Sequence, residues 1–480
     1  MKDVRTTRID PFRLKIERHG KMHTHGIIYA NSDIENYLLN DQAVNQVANV
    51  ACLPGIVGPS MAMPDIHWGY GFPIGGVAAF SMNDGIVSPG GVGYDINCGI
   101  RCLKTNLTHE QVSPVIERLV ASLFITVPSG VGSQNKAIKI NLQDFNQILV
   151  SGSSWVIRQG MAPEKDIECH EDYGCIKGAD PDSVSKKAVE RGLPELGTLG
   201  SGNHFIEIDT VDEIFDKDVA RAFGLFEKQV VVQVHTGSRG LGHQICDDYI
   251  HQMIAVAARE GISLPDRQLA CAPLFSTEAK KYLGAMASAA NFAFANREII
   301  TFLIRECFEN IFSKSFEKLG MDLLYDCCHN IAKIEKVKSG GREIEVCIHR
   351  KGATRALLPG DRRLPYKYIN TGQPVLVPGD MGRESYILVG SEKAEDTYFS
   401  ACHGAGRLMS RSEAKRHANE RAVVDGLKLR GVHIIAASRA TVVEEMPDAY
   451  KDVSKVVDTM TGADVAIKIA KLKPMGIIKG

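Results

Sequence analysis

The sequence predicts an α+β protein in which β-sheets are flanked by helices. Short β-branched runs are followed by glycine-rich loops, a pattern typical of strands that end in tight turns, and 45 of the 480 residues are glycine. One long alanine-rich stretch has helical spacing. Strands and helices do not alternate regularly, which argues against a Rossmann-type parallel sheet. We therefore expect one domain over residues 1–480, with its functional loops clustered at one end.

Three predicted strands adjoin polar residues of interest. They are Phe205–Ile208, which begins just after Asn203 and His204, Val230–Val234, and Pro374–Val377. His235 lies where the second of these strands ends. Each strand meets a glycine-containing loop, so the sequence predicts exposed backbone beside these side chains.

The strongest helical pattern covers residues 278–318, where alanine-rich spacing follows Ser276–Thr277, residues suited to an N-cap. Residues 108–122 and 411–426 also have helical spacing. We expect all three segments to be helical.

Composition is ordinary for a globular protein, with 44% hydrophobic and 24% charged residues. No apolar stretch is long enough to predict a membrane span. The N-terminal segment is charged and lacks an apolar region, so no secretory signal is expected and the cytoplasm is the expected location. The net charge of −1 gives no support for a nucleic-acid partner, so any such partner needs a local cluster of basic residues.

The 12 cysteines form no CxxC pair and no regular framework. A disulfide-rich scaffold is therefore not expected. Free cysteine packs as a small apolar side chain, so we expect most of these thiols to be buried and a few to be available for metal binding.

A metal site is predicted from a set of histidine, cysteine and aspartate residues beside loops. Its candidates are Asp95, Cys98, His204, His235 and His329. Each residue alone is weak evidence, but histidine is twice paired with asparagine and every candidate adjoins a loop that can expose it. Imidazole and thiolate bind borderline divalent metals, and these ligand types suggest Zn²⁺ at least as readily as Mn²⁺.

Several loops have the composition of phosphate-binding sites. In residues 403–407, His403 precedes Gly-Ala-Gly and Arg407, so backbone N–H groups and a guanidinium can approach a phosphate. His403 can then be a general base, a metal ligand or a covalent nucleophile, and the alternative is an ordinary helix-entry loop. With Arg239, Lys351 and Arg355 beside similar loops, the chemistry indicates metal-assisted phosphoryl or nucleotidyl transfer.

The residues resemble those of the RtcB family of RNA ligases. The resemblance extends over nearly the whole chain, through LPGIVG, MPDIHWGYGFPIGG, SPGGVGYDINCGIR, LGSGNHFIEI, VHTGSRGLG, CCHNIA, HRKGATRA, PGDMG and CHGAGR. It implies an RtcB-like domain and a GTP- and Mn²⁺-dependent ligase that joins RNA 2′,3′-cyclic phosphate or 3′-phosphate ends to 5′-hydroxyl ends. It also implies a histidine–GMP intermediate and an activated RNA(3′)-GMP end, as in tRNA splicing and RNA repair.

The resemblance assigns roles to individual residues. It implies two Mn²⁺ ions, one held by Asp95 and His204 and one by His235 and His329, with the Cys98 thiolate between them. His403 is implied as the nucleophile that takes GMP from GTP. The implied GMP contacts are Asn203, Glu207, Asn330, Pro378, Gly379, Asp380, Met381, Ser385, Gly404, Ala405, Gly406, Tyr450 and Lys479.

One residue departs from the family pattern. Asp380 stands where some members have a serine, and its carboxylate either repels phosphate or accepts from the guanine edge. The resemblance implies RNA as the partner and offers archease as an activating protein. Two other functions stay open: a two-metal phosphoesterase that hydrolyses RNA ends without ligation, and a non-catalytic RNA-binding protein.

Overall fold

The structure is a computed structural model that describes residues 4–38 and 41–480. Residues 1–3 of the N-terminal segment and residues 39–40 of the predicted domain lie outside the described residues. In chain order the strands are β1 (Thr6–Asp10), β2 (Arg13–Ile16), β3 (Gly26–Tyr29), β4 (Ile56–His67), β5 (Ile74–Ser81), β6 (Ile86–Val87), β7 (Gly99–Thr108), β8 (Phe205–Ile214), β9 (Gln229–Thr236), β10 (Ala272–Pro273), β11 (Leu323–Cys328), β12 (Asn330–Ser339), β13 (Arg342–Lys351), β14 (Ala353–Arg355), β15 (Pro374–Val377), β16 (Ser385–Gly390), β17 (Ser400–Cys402), β18 (His433–Ala436) and β19 (Ala466–Lys479).

The helices lie between these strands and at the edges of the sheets. They are α1 (Ser32–Leu38), α2 (Ala43–Val50), α3 (His109–Val112), α4 (Ile116–Thr126), α5 (Leu142–Ser151), α6 (Ser153–Arg158), α7 (Lys186–Gly192), α8 (Lys217–Phe223), α9 (Arg239–Arg259), α10 (Thr277–Phe312), α11 (Arg411–His417), α12 (Glu420–Leu429), α13 (Arg439–Glu444) and α14 (Val453–Gly462). None of the helices within residues 4–38 and 41–480 is long and apolar enough to cross a membrane.

Two large sheets organise the strands. The first has the order β1-β2-β3-β4-β5-β13-β12. The second has the order β11-β7-β9-β8-β19-β16-β15, with β18 pairing alongside β19. Most neighbours are antiparallel, and the parallel pairs among the described strands are β3 with β4 and β18 with β19. The predicted mixture of sheets flanked by helices, without Rossmann-type alternation, is confirmed.

The apolar core is distributed over three main clusters. The valine-rich interior of β9 and one face of α10 contribute to the cluster on the second sheet. The helices α9 and α10 share a second cluster, while β4, β5 and α14 contribute to a third cluster. Ten of the 12 cysteines are buried, so the expectation of buried thiols is confirmed.

The long helix α10 begins where the sequence predicts and ends earlier than predicted. The Ser276 side chain accepts from the Ala279 N–H and caps the first turn. The helix stops at Phe312 because Ser313 has a left-handed backbone conformation, with φ of 52°. The Phe316 N–H then donates to the Glu309 carboxylate rather than continuing the helical ladder.

The other two segments are helical as predicted, but each is divided by a break. In residues 108–122, Pro114 has no N–H to donate, and a 3₁₀ turn separates α3 from α4. In residues 411–426, Ala418 is extended and Asn419 caps a new helix by accepting from the Ala422 N–H. The strands at Phe205, Val230–Val234 and Pro374–Val377 are confirmed.

Candidate metal and nucleotide site

The register of the second sheet brings three of the predicted metal ligands together. β7 begins at Gly99, immediately after Cys98. Gly99 pairs with the last residue of β9 on one side and with the last residue of β11 on the other. His235 near the end of β9 and His329 just after β11 therefore lie on either side of Cys98, and the His329 N–H donates to the Cys98 carbonyl at 2.9 Å.

The five predicted ligands form one cluster, in which all but the partly exposed Asp95 are buried. Cys98 Sγ lies 3.3 Å from His235 Nε2 and 3.5 Å from His204 Nε2. His235 Nε2 lies 3.3 Å from His329 Nε2, and His204 Nε2 lies 2.8 Å from Asp95 Oδ2. The ligand atoms fall into two groups, Asp95–Cys98–His204 and Cys98–His235–His329, which share the thiol.

The orientation of the imidazole rings fits a metal cofactor. His204 Nδ1 lies 3.0 Å from the Leu199 carbonyl, and His235 Nδ1 lies 3.1 Å from the Asn203 carbonyl. A carbonyl accepts only from a protonated nitrogen, so the Nε2 lone pair of the neutral His235 ring points toward the Cys98 sulfur. His204 Nε2 lies between the Cys98 sulfur and Asp95 Oδ2, where a metal ion can replace the ring proton. The donor set of imidazole, thiol and carboxylate therefore fits divalent metal ions.

The ionisation states of the cluster residues also favour metal binding. Burial lowers the pKa of His235 and of His329 well below the usual value, so both rings are neutral, which is the form that binds metal. Burial opposes ionisation of Asp95, but the hydrogen bond and charge of His204 outweigh it and lower the pKa to about 2. Burial raises the pKa of the Cys98 thiol, an effect that a bound metal ion reverses.

His403 is held by a carboxylate that sequence reasoning did not single out. Asp65, in β4, accepts from the His403 backbone N–H at 2.9 Å, and the same oxygen lies 2.5 Å from His403 Nδ1. A carboxylate on Nδ1 fixes the ring orientation and keeps the proton on that nitrogen. The arrangement leaves the Nε2 lone pair of His403 for a ligand in the cavity.

His403 lies directly beside the metal cluster. Its ring centroid is 4.7 Å from that of His329, whose Nε2 belongs to the cluster. A phosphate that contacts ions in the cluster is therefore within reach of the His403 ring.

One cavity of about 950 Å³ adjoins the cluster and most of the predicted GMP contacts. The predicted site residues in its wall are Asp95, Cys98, Asn203, Glu207, His235, His329, Asn330, Pro378, Gly379, Asp380, Met381, His403, Gly404, Ala405, Gly406, Arg407, Tyr450 and Lys479. His204 reaches the cluster from behind this wall, and Ser385 contacts two of the wall residues. A cavity of this size accommodates a nucleotide.

The loops 378–381 and 403–406, which carry implied GMP contacts, lie against one another. The Ala405 N–H donates to the Pro378 carbonyl at 3.1 Å. Gly406 has a φ of 74°, and a Cβ on it would overlap the Asp65 carbonyl, so only glycine fits. Because the 403–406 loop packs closely against β4, the His403 side chain contacts Asp65.

A buried carboxyl group faces the cavity from β8. Glu207 is 4% exposed, and the Ser385 hydroxyl donates to its Oε1 at 3.5 Å while accepting from the Gly379 N–H at 3.1 Å. Burial and the neighbouring Asp209 raise the pKa of Glu207 well above its usual value. A buried carboxyl group beside a hydroxyl can bind ligand N–H groups.

The last strand supplies a buried cation to the same wall. Lys479 pairs with Phe205 in the register of β19 and β8, and its ammonium lies 5.2 Å from the Phe205 ring centroid. It also donates to the Asn203 carbonyl at 3.4 Å. Burial lowers the pKa of Lys479, while Glu445 and Glu207 oppose that shift.

Arg407 is already engaged by neighbouring groups. Its guanidinium donates to Glu445 at 3.0 Å and to the Tyr450 hydroxyl at 3.1 Å, and it lies 4.9 Å from the Tyr450 ring centroid. The Tyr450 hydroxyl also donates to the buried Glu445 carboxylate. Glu445 thus positions two predicted contacts at once.

The Asp380 carboxyl group is buried and contacts residues of the protein. Its Oδ1 accepts from the Gly382 N–H at 2.9 Å, and its Oδ2 lies 3.2 Å from the Arg383 guanidinium. The Arg383 nitrogen concerned donates to the Tyr450 and Lys451 carbonyls, so Oδ2 is an ion-pair contact rather than a hydrogen-bond acceptor. Burial raises the pKa of Asp380 to about 6.

The cavity wall does not include three of the predicted phosphate-binding cations, which are Arg239, Lys351 and Arg355. Lys351 donates to the Tyr70 and Gly90 carbonyls, and burial lowers its pKa to about 7. The Arg355 guanidinium pairs with Glu171 at 3.3 Å and with Asp172 at 3.1 Å. The basic groups of Lys351 and Arg355 therefore bind other groups of the protein rather than a phosphate in the cavity.

Arg239 lies behind the cluster rather than in the cavity. Its guanidinium is 3.5 Å from His204 Nδ1 and 3.4 Å from the Thr198 hydroxyl. Nδ1 is the nitrogen of His204 that faces away from the other ligand atoms. Arg239 therefore does not line the cavity, but its positive charge contributes to the low pKa of Asp95.

Asp65 and Glu445 are the site residues that sequence reasoning missed. Asp65 lies within the string MPDIHWG that carries part of the family resemblance, so its position in that motif was an available signal. Glu445 lies in EEMPDAY, where nothing in residue type or spacing distinguishes it. Its partner Arg407 is 38 residues away in the chain.

Together, the fold and the cluster define a class: proteins with buried imidazole, thiol and carboxylate groups that fit a metal cofactor at the wall of a nucleotide-sized cavity. The chain belongs to the RtcB family. The family model described as tRNA-splicing ligase RtcB matches residues 46–480. The family resemblance seen in the sequence motifs is confirmed.

Curated relatives are similar over almost their whole length. The chain is 49% identical over 471 residues to the tRNA-splicing ligase RtcB of Methanococcus maripaludis, covering 98% of each chain. It is 49% identical over 444 residues to that of Archaeoglobus fulgidus, covering 92% of each, and 47% identical over 475 residues to that of Thermococcus kodakarensis, covering 98% of each.

Proposed function

We propose that the protein is a GTP- and Mn²⁺-dependent RNA ligase that joins RNA 2′,3′-cyclic phosphate or 3′-phosphate ends to 5′-hydroxyl ends through a histidine–GMP intermediate. The observation that carries the proposal is the position of His403. Its Nδ1 lies 2.5 Å from Asp65, and its ring is 4.7 Å from that of His329 in the metal cluster. A nucleophile oriented by a carboxylate beside a phosphate-binding centre is the arrangement that nucleotidyl transfer requires.

In the first step, His403 Nε2 attacks the α-phosphorus of GTP. A P–N bond forms, the bond between the α-phosphorus and the bridging oxygen breaks, and pyrophosphate leaves. Asp65 retains the hydrogen bond from Nδ1 and balances the positive charge that develops on the ring. Asp65 is therefore a positioning residue that acts through His403.

The metal ions contribute charge neutralisation. Bound to Asp95, Cys98, His204, His235 and His329, Mn²⁺ would neutralise phosphoryl oxygens and polarise the reacting phosphorus. The shared thiol would keep two ions close together. The neutral forms of His235 and His329 favour such binding without any loss of protons from those rings.

The later steps transfer the activated group to RNA. Water opens a 2′,3′-cyclic phosphate to a 3′-phosphate, and an oxygen of that phosphate attacks the phosphorus held on His403. The P–N bond breaks and leaves an RNA 3′ end capped by GMP. The 5′-hydroxyl of the second strand then attacks the RNA phosphorus, gives its proton to solvent, and expels GMP.

Guanine selectivity is assigned to the wall formed by β8 and β19. Guanine presents N–H donors on one edge, which suit the Glu207 carboxyl group, and a carbonyl oxygen, which suits the Lys479 ammonium. Both side chains line the cavity and are about 95% buried. An adenine base has no matching donor pattern, so the buried polar groups would remain unpaired.

RNA is proposed as the substrate because the relatives in three organisms are named tRNA-splicing ligases. The net charge of −1 requires a local site rather than a generally basic surface. Arg411, whose side chain is 52% exposed, lies in the cavity wall and supplies a positive charge there.

The experiment that tests the proposal is labelling by α-³²P-GTP in the presence of MnCl₂. Label should remain on the protein through denaturation, be lost in acid and survive alkali, as a phosphoramidate does. Peptide mapping should place the label on His403, and His403→Ala should abolish it. His251→Ala, at an exposed histidine of α9, is the matched control and should label as the wild type does.

Absence of label on folded, Mn²⁺-loaded protein would contradict the covalent mechanism. If that protein still released phosphate from RNA ends, the function would be that of a two-metal phosphoesterase rather than a ligase. Label on a histidine other than His403 would contradict the assignment of the nucleophile.

A further inference from the structure

A tryptophan is exposed in the wall of the site cavity. Trp68 lines the cavity together with His403, and 62% of its surface is exposed. The only other tryptophan in the sequence, Trp155, is 4% exposed. A large aromatic side chain left exposed beside a functional site indicates a binding contact.

The backbone around Trp68 is fixed. The Gln46 side-chain amide accepts from the Gly69 N–H at 3.0 Å and donates to the Gly69 carbonyl at 2.6 Å. Gln46 is itself 4% exposed, so this pair of bonds is shielded from water. The Gln268 side-chain oxygen accepts a hydrogen bond from the Gly71 N–H at 2.9 Å. The backbone beside Trp68 is therefore held in place, so binding does not need to order it.

Trp68 is connected to the nucleophile through a short stretch of chain. Asp65 contacts His403, and the Arg407 backbone nitrogen lies 3.4 Å from His67 Nδ1. Trp68 follows His67 at the end of β4. At roughly 3.3 Å per residue, the Trp68 backbone lies about 10 Å from that of Asp65. This distance suits a contact with a nucleotide next to the reacting phosphate.

We propose that Trp68 is a stacking platform for a nucleobase of the RNA end that reacts at His403. This inference rests on the proposed function. An RNA end that enters a cavity is single-stranded there, and stacking on an aromatic ring is a contact that every base can make. The proposed guanine contacts lie on β8 and β19 of the second sheet, whereas Trp68 lies at the end of β4 in the first sheet.

Tryptophan fluorescence tests the contact directly because Trp155 is buried. The wild-type protein is titrated, without GTP, with single-stranded RNA that carries a 3′-phosphate. Binding should quench the emission saturably, and Trp68→Phe should remove the quenching. In a series of RNAs with an abasic site at each of the last three nucleotides, one RNA should lose most of the quenching. Saturable binding without quenching, or equal quenching by all abasic RNAs, would overturn the proposal.

Ligation kinetics provide the second test. Trp68→Ala should raise the KM for RNA roughly tenfold, whereas Trp68→Phe should remain close to the wild type. Phe275→Ala is the matched control, since Phe275 is also 62% exposed but lies outside the cavity wall, and it should not change the KM. An unchanged KM in Trp68→Ala would overturn the platform and indicate a protein contact instead.

The two proposals fail separately. Absence of GMP on His403 would contradict the proposed ligase mechanism, yet RNA could still quench Trp68. Normal labelling of His403 without quenching by RNA would leave the mechanism standing and remove the platform.

Discussion

At the scale of single residues, the site combines groups whose protonation is set by their neighbours. Asp65 directs the His403 ring, and backbone carbonyls direct His204 and His235. Each of these contacts fixes which ring nitrogen faces the ligand, so the chemistry depends on residues that need not touch the substrate.

Asp65→Asn should slow guanylylation of His403 by roughly 10²-fold or more, because an amide does not balance the charge on the ring and permits the wrong tautomer. The rate of label incorporation from α-³²P-GTP measures the effect. Metal content should stay at the wild-type value, since Asp65 is not among the cluster ligands. A variant that labels at the wild-type rate would show that the carboxylate has no role in the transfer.

Asp380→Asn should stabilise the protein at neutral pH. Burial raises the pKa of Asp380 to about 6 from 3.8, so the folded state binds more protons than the unfolded state between these values. The contribution of this group to stability therefore falls as pH rises from about 4 to about 6 and stays low above it. Asparagine keeps the bond to the Gly382 N–H without a charge.

The gain at pH 7.5 should reach up to roughly 3 kcal/mol and vanish near pH 4, as measured by urea unfolding. Asp182→Asn, at an exposed carboxyl group, is the control and should change little at either pH. Equal stability of wild type and Asp380→Asn across this range would refute the raised pKa.

At the scale of the elements, strand register assembles the metal ligands. Cys98, His235 and His329 are far apart in the chain, and the pairing of β7 with β9 and β11 places them side by side. A shift of either pairing by one residue would turn the ligands to opposite faces. The site therefore depends on close packing at the first residue of β7.

Gly99→Ala tests this dependence. A Cβ at Gly99 would overlap the Cys327 carbonyl and approach the Arg297 guanidinium to 3.1 Å, so β7 must move away from β11. We expect the affinity for Mn²⁺ to fall at least tenfold, as measured by calorimetric titration. Gly426→Ala in α12, where a Cβ meets nothing within 4 Å, should leave the affinity unchanged and stabilise the helix by up to about 1 kcal/mol. Wild-type affinity in Gly99→Ala would contradict the role of register.

The elements that sequence predicted best are those governed by local signals. Ser276 caps α10 where its residue type predicts, and Pro374–Val377 forms a strand with the predicted bounds. The break at Ala418 was missed because Asn419 has no distinctive neighbours, yet its side chain starts a new helix.

Site residues show the same division between local and long-range information. The cluster ligands could be chosen by residue type and motif, whereas the ion pair of Arg355 with Glu171 depends on contacts across the fold. A basic residue beside a glycine looks the same in sequence whether it binds phosphate or a buried carboxylate. Asp65 could not be matched to His403 without the tertiary structure, since 338 residues separate them.

At the scale of the whole molecule, the site is built from nearly the full length of the chain. Asp65 comes from the first sheet, Cys98 and His235 from the second, and Lys479 from the last strand. Forming the site therefore requires both sheets to be in place. Any ligand that binds the cluster should stabilise the entire fold.

Mn²⁺ should raise the stability of the protein toward heat. Binding to the folded state alone contributes about 2.7 kcal/mol when the free ion is at 100 times its Kd. Differential scanning calorimetry with and without MnCl₂ measures the shift in Tm. Cys98→Ala should lose most of the shift because both ligand groups use that thiol, and a wild-type shift in this variant would argue against sharing.

We expect two metal ions to share Cys98 beside the His403 ring. Anomalous diffraction from crystals grown with MnCl₂ would locate these ions. Two manganese peaks should appear, one among Asp95, Cys98 and His204 and the other among Cys98, His235 and His329, both in contact with the Cys98 sulfur. Peaks elsewhere in the molecule, or none at this cluster under saturating Mn²⁺, would contradict this expectation.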